Sequence, residues 1–99
     1  MTYKIWMSPS VHDERKGLPG AVRQRIKQAI EALATDPRPS SSRQLRSTGE
    51  TNWEPRRLRL DDWRVIYAVD DTWQEVAVLG VRKRPPYDYA DLGDLLAKL

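Results

Sequence analysis

The stretch Arg57-Leu58-Arg59-Leu60-Asp61-Asp62-Trp63-Arg64-Val65-Ile66-Tyr67 decides the fold. Leucine and arginine alternate up to two aspartates, and a run rich in β-branched and aromatic residues follows. That is the pattern of two antiparallel strands joined by a two-residue turn. Pairing Leu60 with Trp63 sets Leu58 opposite Val65 and Arg59 opposite Arg64. One face of the hairpin is then apolar, and the other carries Arg57, Arg59 and Arg64. Like charges directly opposed destabilise a sheet by a few tenths to about 1 kcal/mol. Two readings account for them: the guanidiniums splay into water and pair with Glu54 or Asp61, or they serve a visiting anion. Arginine's planar fork suits phosphate.

Working outward, Asp70-Asp71-Thr72 is a second turn, leading into a strand from Trp73 through Val81 and completing a meander. Upstream, Tyr3-Lys4-Ile5-Trp6-Met7 alternates as a first strand, and Ser8-Pro9-Ser10 offers an N-cap for a short helix near Val11–Gly17. Val22, Ile26, Ala29, Ile30 and Leu33 then fall on one stripe at helical spacing, with Asp36-Pro37 as the stop. Ser40-Ser41-Ser42 opens a polar stretch that reads as a mobile or binding loop. Downstream, Pro85-Pro86 ends the last strand, Asp88 to Asp91 supplies a cap, and Leu92, Leu95, Leu96 and Leu99 form the stripe of a closing helix. The order β-α-α-β-β-β-α implies one small α+β domain over residues 1–99. Its antiparallel sheet is the meander plus the N-terminal strand, with helices packed on one side.

Composition narrows the chemistry. The 99 residues contain 39% hydrophobic and 31% charged side chains, ordinary for a globular chain. There is no cysteine, which excludes disulfides, a thiol nucleophile and thiolate metal sites; the lone His12 excludes a histidine cage or pair and reads as a surface helix residue. No metal or cofactor is implied. No apolar run is long enough to span a bilayer, and the N-terminus lacks the layout of a signal peptide, so a cytoplasmic location is expected. Net charge is +3, and its distribution matters more than its size. Positive charge gathers between Arg38 and Arg64 and again at Arg82-Lys83-Arg84, next to Pro85-Pro86-Tyr87-Asp88-Tyr89. A basic triplet beside aromatics held in a restricted arc is how nucleic-acid surfaces combine phosphate contact with base stacking. Tyr89 fits a core plug as well as a site, whereas Tyr87 leans toward exposure.

The hairpin, together with Gln44-Leu45-Arg46 ahead of Gly49, the strand end Val78-Leu79-Gly80-Val81-Arg82-Lys83-Arg84 and a closing tyrosine-bearing helix, resembles the RelE/ParE toxin superfamily over nearly the whole chain. The resemblance implies a RelE-like mRNA interferase of a type II toxin–antitoxin system, a ribosome-dependent, metal-free endoribonuclease. By that resemblance Arg64 contacts the scissile phosphate and Arg84 stabilises the transition state or serves the leaving group. Arg57 stands where such toxins often carry a lysine, and Tyr87 or Tyr89 matches the tyrosine used in stacking or proton transfer. Arg56, Arg59, Arg82 and Lys83 are the further expected RNA contacts. Pro55 departs from the pattern, since a second basic residue is expected there. Arginines are poor bases, which leaves proton removal to Tyr87, Tyr89 or Lys83. The expected partners are a cognate antitoxin, the ribosome and mRNA, with no membrane. Two other functions fit the same fold: a ParE-like toxin directed at DNA gyrase, and a non-catalytic RNA- or protein-binding relic.

Overall fold

The computed structural model describes residues 2–46, 52–83, 92–97 and 99. The elements are β1 (Lys4–Met7), α1 (Pro9–Lys16), α2 (Gly20–Ala32), β2 (Ser42–Gln44), β3 (Glu54–Leu60), β4 (Trp63–Asp70), β5 (Glu75–Lys83) and α3 (Leu92–Ala97). The five strands form one sheet in the order β1-β5-β4-β3-β2, in which β1 runs parallel to β5 and every other pair is antiparallel. The hairpin register is the one its alternation dictates: Leu58 faces Val65, Arg59 faces Arg64 and Leu60 faces Trp63. Asp61 takes the left-handed conformation, φ 54°, that a two-residue turn asks of its first central residue.

The parallel β1 makes the sheet mixed where an antiparallel one was expected, because the chain returns to the β5 edge only after passing through two helices and the meander; three further details differ from the sequence reading. Ser42–Gln44 is a short edge strand on β3, inside the stretch read as a loop. Its pattern is too short to register as alternation, and the pairing comes from β3. The second turn is longer than Asp70–Thr72. The Asp70 carboxylate accepts from the backbone N–H of Thr72 (2.9 Å) and Trp73 (3.3 Å), and Gln74 closes the turn at φ 52°. Trp73 therefore sits in the turn, 74% exposed, and β5 begins at Glu75.

The third difference concerns layers. Helices α1 and α2 cover one face, where Val11, Ile26 and Ile30 pack with Leu58, Val65, Tyr67, Val69, Val76, Val78 and Val81. The closing helix instead covers the other face, with Leu95 and Leu96 against Ile66, Ala68, Ala77 and Leu79. The helices are thus not all on one side. Strand β4 is buried on both of its faces, which is why its sequence runs apolar from Val65 to Val69 instead of alternating.

A β-bulge between β4 and β5 decides which side chains share a face. Ala68 pairs with Ala77, but Ile66 pairs with Gly80, so β5 carries one extra residue between them. Strict alternation from Ala77 would turn Val81 away from α1 and α2 and Arg82 toward them. The extra residue reverses this, placing Val81 in the core and Arg82 on the opposite face, across from Arg64. Beyond Met7 the chain leaves β1 for α1, and the Glu14 carboxylate of that helix accepts the Val81 N–H at 3.1 Å.

At the far end of the sheet a polar cluster ties loop to turn. Arg38 bonds Glu54 at 3.1 Å and Asp71 at 2.9 Å, and the Tyr3 hydroxyl donates to Asp71 at 2.7 Å. The Arg38 guanidinium, then the Tyr3 hydroxyl, holds the Asp71 carboxyl below the usual carboxylate range. A depressed carboxylate stabilises the fold above its unfolded pKa and loses that contribution as pH falls through its folded value. Arg38 and Asp71 are well exposed, so solvent screens the pair and limits the effect to under about 1 kcal/mol. Asp71→Asn is therefore expected to lower the Tm slightly at pH 6, with the difference starting to shrink as pH falls below the carboxylate's ordinary value near 3.9 and vanishing below its lower folded value. Melting curves of both proteins across that range check it.

Candidate functional site

Three residues form a row across the hairpin end of the sheet: Arg59 on β3 pairs with Arg64 on β4, which pairs with Arg82 on β5. In the next row on the same face, Arg43 on β2 pairs with Arg57 on β3, followed by Ile66 and Gly80. Two residues separate the rows along β3, a rise of roughly 7 Å, and partners across a row have Cβ atoms about 5 Å apart. Four strands thus deliver five arginines to one surface. Arg57, Arg59, Arg64 and Arg82 are brought together as the sequence pattern anticipated, and Arg43 joins them because Ser42–Gln44 is a strand.

The five are not equivalent. Arg59 and Arg43 are exposed and Arg57 and Arg82 half-buried, but Arg64 retains only 2% of its surface. Its Nη1 donates to the carbonyl oxygens of Asp61 (3.0 Å) and Trp63 (2.9 Å), so the turn that closes the hairpin also fixes the Arg64 side chain. Arg64 is therefore a buried and fixed positive charge, with Arg59 exposed beside it. The guanidinium of Arg82 folds back over Gly80, where an added Cβ would stand 3.7 Å from its Nε. The same Cβ would stand 3.9 Å from Ile66 Cδ1, an ordinary contact, so the Arg82 side chain and Ile66 flank Gly80 without requiring it to be glycine.

Two carboxylates that could neutralise the hairpin are engaged elsewhere. Asp61 pairs with Arg25 of α2, and Glu54 binds Arg38 and Arg56. Among the described residues, no ion pair involves Arg43, Arg57 or Arg59. The neutralised reading of the hairpin does not hold for the two acids it named. Arg59→Ala is accordingly expected to raise the Tm modestly by removing one of two opposed charges, a gain of a few tenths to about 1 kcal/mol. The gain should shrink in high salt, and thermal melts at two ionic strengths read it.

Two of the expected RNA contacts fall on the other side. Arg56 pairs with Tyr67, and its guanidinium bonds Ser42 Oγ (2.9 Å) and Glu54 (2.9 Å) on the face covered by α1 and α2. Strand alternation forces this, since Arg56 precedes Arg57. Lys83 pairs with Trp63 and is likewise turned from the arginine rows, though exposed. His12 is exposed on α1. Arg84, Tyr87 and Tyr89, and the cap at Asp88 to Asp91, lie outside the described residues.

A small mixed sheet with two helices on one face, a short closing helix on the other and a basic hairpin end defines the class of RelE/ParE-fold toxins. The chain belongs to the ParE toxin family of type II toxin–antitoxin systems, whose family model, ParE toxin of type II toxin-antitoxin system, parDE, matches residues 8–85. Among solved structures it is similar to the archaeal RelE–RelB complex from Pyrococcus horikoshii, with 28% identity over 87% of this chain and 99% of that one and a TM-score of 0.76. A toxin–antitoxin complex from Mycobacterium tuberculosis matches at 19% identity over 85% of this chain and 100% of that one, TM-score 0.71. The isolated RelE toxin of Escherichia coli matches at 21% over 97% and 96%, TM-score 0.60. The last two show the shared fold alone. No curated protein sequence matches the chain.

Proposed function

We propose that this toxin is a ribosome-dependent endoribonuclease that cleaves messenger RNA without a metal. The observation that supports the reading best is the row Arg59–Arg64–Arg82 backed by Arg57, which gathers four arginines from three strands at one end of one sheet face. Cleavage of this kind needs the 2′-hydroxyl in line with the phosphorus, a group to take its proton, and positive charge on the pentavalent phosphorane. The 2′-oxygen forms a bond to phosphorus, the bond to the 5′-oxygen breaks, and that oxygen takes a proton. The products are a 2′,3′-cyclic phosphate and a 5′-hydroxyl. Arg64 is oriented beforehand by the hairpin carbonyls, and with 2% of its surface exposed it reaches the phosphate once the groups over it move aside. Arg84 supplies the second charge, Arg57 orients the backbone from the adjacent row, and Arg59 and Arg82 bind flanking phosphates. Tyr87 or Tyr89 moves the proton, since Lys83 is turned away from the rows.

The solved relatives named as complexes hold their toxin with an antitoxin. They support a cognate antitoxin for this chain as well, whose acidic residues cover the arginine rows. A second reading, a toxin directed at DNA gyrase, is favoured by the family model that matches residues 8–85. Inducing the protein and mapping RNA 5′ ends separates the two. Codon-positioned cuts that vanish when translation is blocked support the nuclease, while intact messages with DNA-damage signalling support the gyrase reading and overturn the first.

A further inference from the structure

The face that carries the arginine rows ends, at its other extremity, in a feature of opposite character. Trp6 on β1, Trp53 before β3, Glu75 and Ala77 on β5, and Leu99 after α3 enclose a cavity of about 230 Å³. Trp6 is 43% exposed, in a protein whose other large apolar side chains are mostly buried. Register explains the grouping. Trp6 pairs with Ala77 and Lys4 with Glu75, so the indole and the carboxylate stand on neighbouring positions of one face.

Two indoles and one carboxylate around a small recess specify a ligand class. The indole faces attract a cation through the ring quadrupole, and the carboxylate adds a full opposite charge. A nucleobase would also stack on indoles, but the phosphates attached to it would meet Glu75, so the acid disfavours RNA here. Along β5 the recess lies seven residues from Arg82, roughly 20 Å at strand rise. The same face therefore presents a positive end and an aromatic end where Glu75 lines the recess and Lys4, its partner across the strands, does not. We infer that the Trp6–Trp53–Glu75 recess is a docking point for an arginine or lysine side chain of a partner polypeptide. A segment with an acid over the arginine rows and a base about 20 Å away satisfies both ends, which gives a partner its orientation as well as its charge match. The inference does not depend on the cleavage chemistry.

The test uses the full chain, isotopically labelled, with indole N–H cross-peaks assigned through Trp6→Phe and Trp53→Phe. N-acetyl-arginine amide and N-acetyl-lysine amide are titrated as probes, with N-acetyl-glutamate amide and uridine monophosphate as comparisons. The expected result is saturable, millimolar shifts of the Trp6 and Trp53 signals by the cationic probes, with those of Trp73 unmoved. Glu75→Gln should weaken binding at least about fivefold while leaving RNA cleavage unchanged. Shifts of the pair by the nucleotide instead would make the recess a stacking site and overturn the inference. Equal response to the acidic probe, no response to the cations, or shifts that follow protein concentration alone would overturn it too. Loss of cleavage activity in the wild-type assay, by contrast, bears only on the nuclease reading.

Discussion

Arg64→Ala and Arg84→Ala are each expected to lower RNA cleavage at least about tenfold, equivalent to about 1.4 kcal/mol of transition-state stabilisation. The two substitutions should differ in their effect on the fold. Arg64 is buried and donates to two carbonyls of its own hairpin, so its removal leaves the Asp61 and Trp63 oxygens without that donor. A cost of about 1–3 kcal/mol follows from the unsatisfied acceptors, and in a domain of this size each kcal/mol lowers the Tm by about 4–8 °C. Arg64→Met separates the two roles because it fills the space with an apolar stem and removes the charge. Cleavage is to be measured on translating ribosomes well below the lowest Tm of the set. Retained cleavage in Arg64→Met and Arg84→Ala, with both proteins folded, would remove the phosphate site from these arginines. Arg59→Ala provides the scale: being exposed at the edge of the row, it should reduce the rate less than either, while its Tm rises.

What the sequence reveals here follows the range of the forces involved. The hairpin register is legible because alternation, a two-residue turn and burial of one face all demand the same pairing, and Leu58 opposite Val65 is the outcome. The helix stripe at Ile26 and Ile30 is legible for the same reason. The strand Ser42–Gln44 is not, because three polar residues gain their structure from the β3 edge and carry no pattern of their own. Arg43 is lost with it. The placement of Arg82 depends on the bulge, whose cue is Gly80 inside an otherwise apolar run, Val76 to Val81. Counting by twos from Ala77 would have put Arg82 with the core. Nor does pattern alone reveal that Asp61 answers Arg25 and Glu54 answers Arg38 and Arg56, contacts made across long separations. The candidate face was readable as charge on one side of a hairpin. Its completeness, four strands wide, was not.

The largest effect on stability is expected from Tyr67, in the middle of β4. Among the described residues it is the largest of the fully buried side chains, and its hydroxyl donates to the Pro37 carbonyl at 2.7 Å, tying the end of the α2 connection to the sheet centre. Tyr67→Ala should cost about 3–5 kcal/mol, as for other buried aromatics. Domains have only about 5–15 kcal/mol in total, so this variant is expected to be partly unfolded at 37 °C. Tyr67→Phe keeps the ring and loses the bond, for about 1 kcal/mol. Burial pushes the Tyr67 hydroxyl up from its ordinary pKa, against the smaller opposing influence of Ser42 and Arg56. A raised folded pKa contributes stability that is complete below the unfolded value near 10 and is lost as pH rises through the folded one. The stability gap between wild type and Tyr67→Phe should therefore narrow above about pH 10, in urea titrations on a Tyr3→Phe background, because the Tyr3 hydroxyl is also raised by its bond to Asp71. A gap that stays constant with pH would mean the hydroxyl contributes by shape alone. Tyr67 points toward α1 and α2 while its neighbour Ile66 shares the arginine face, so Tyr67→Phe should cleave RNA at the wild-type rate wherever it is folded. Impaired cleavage by a folded Tyr67→Phe protein would show that the two faces of β4 do not act independently.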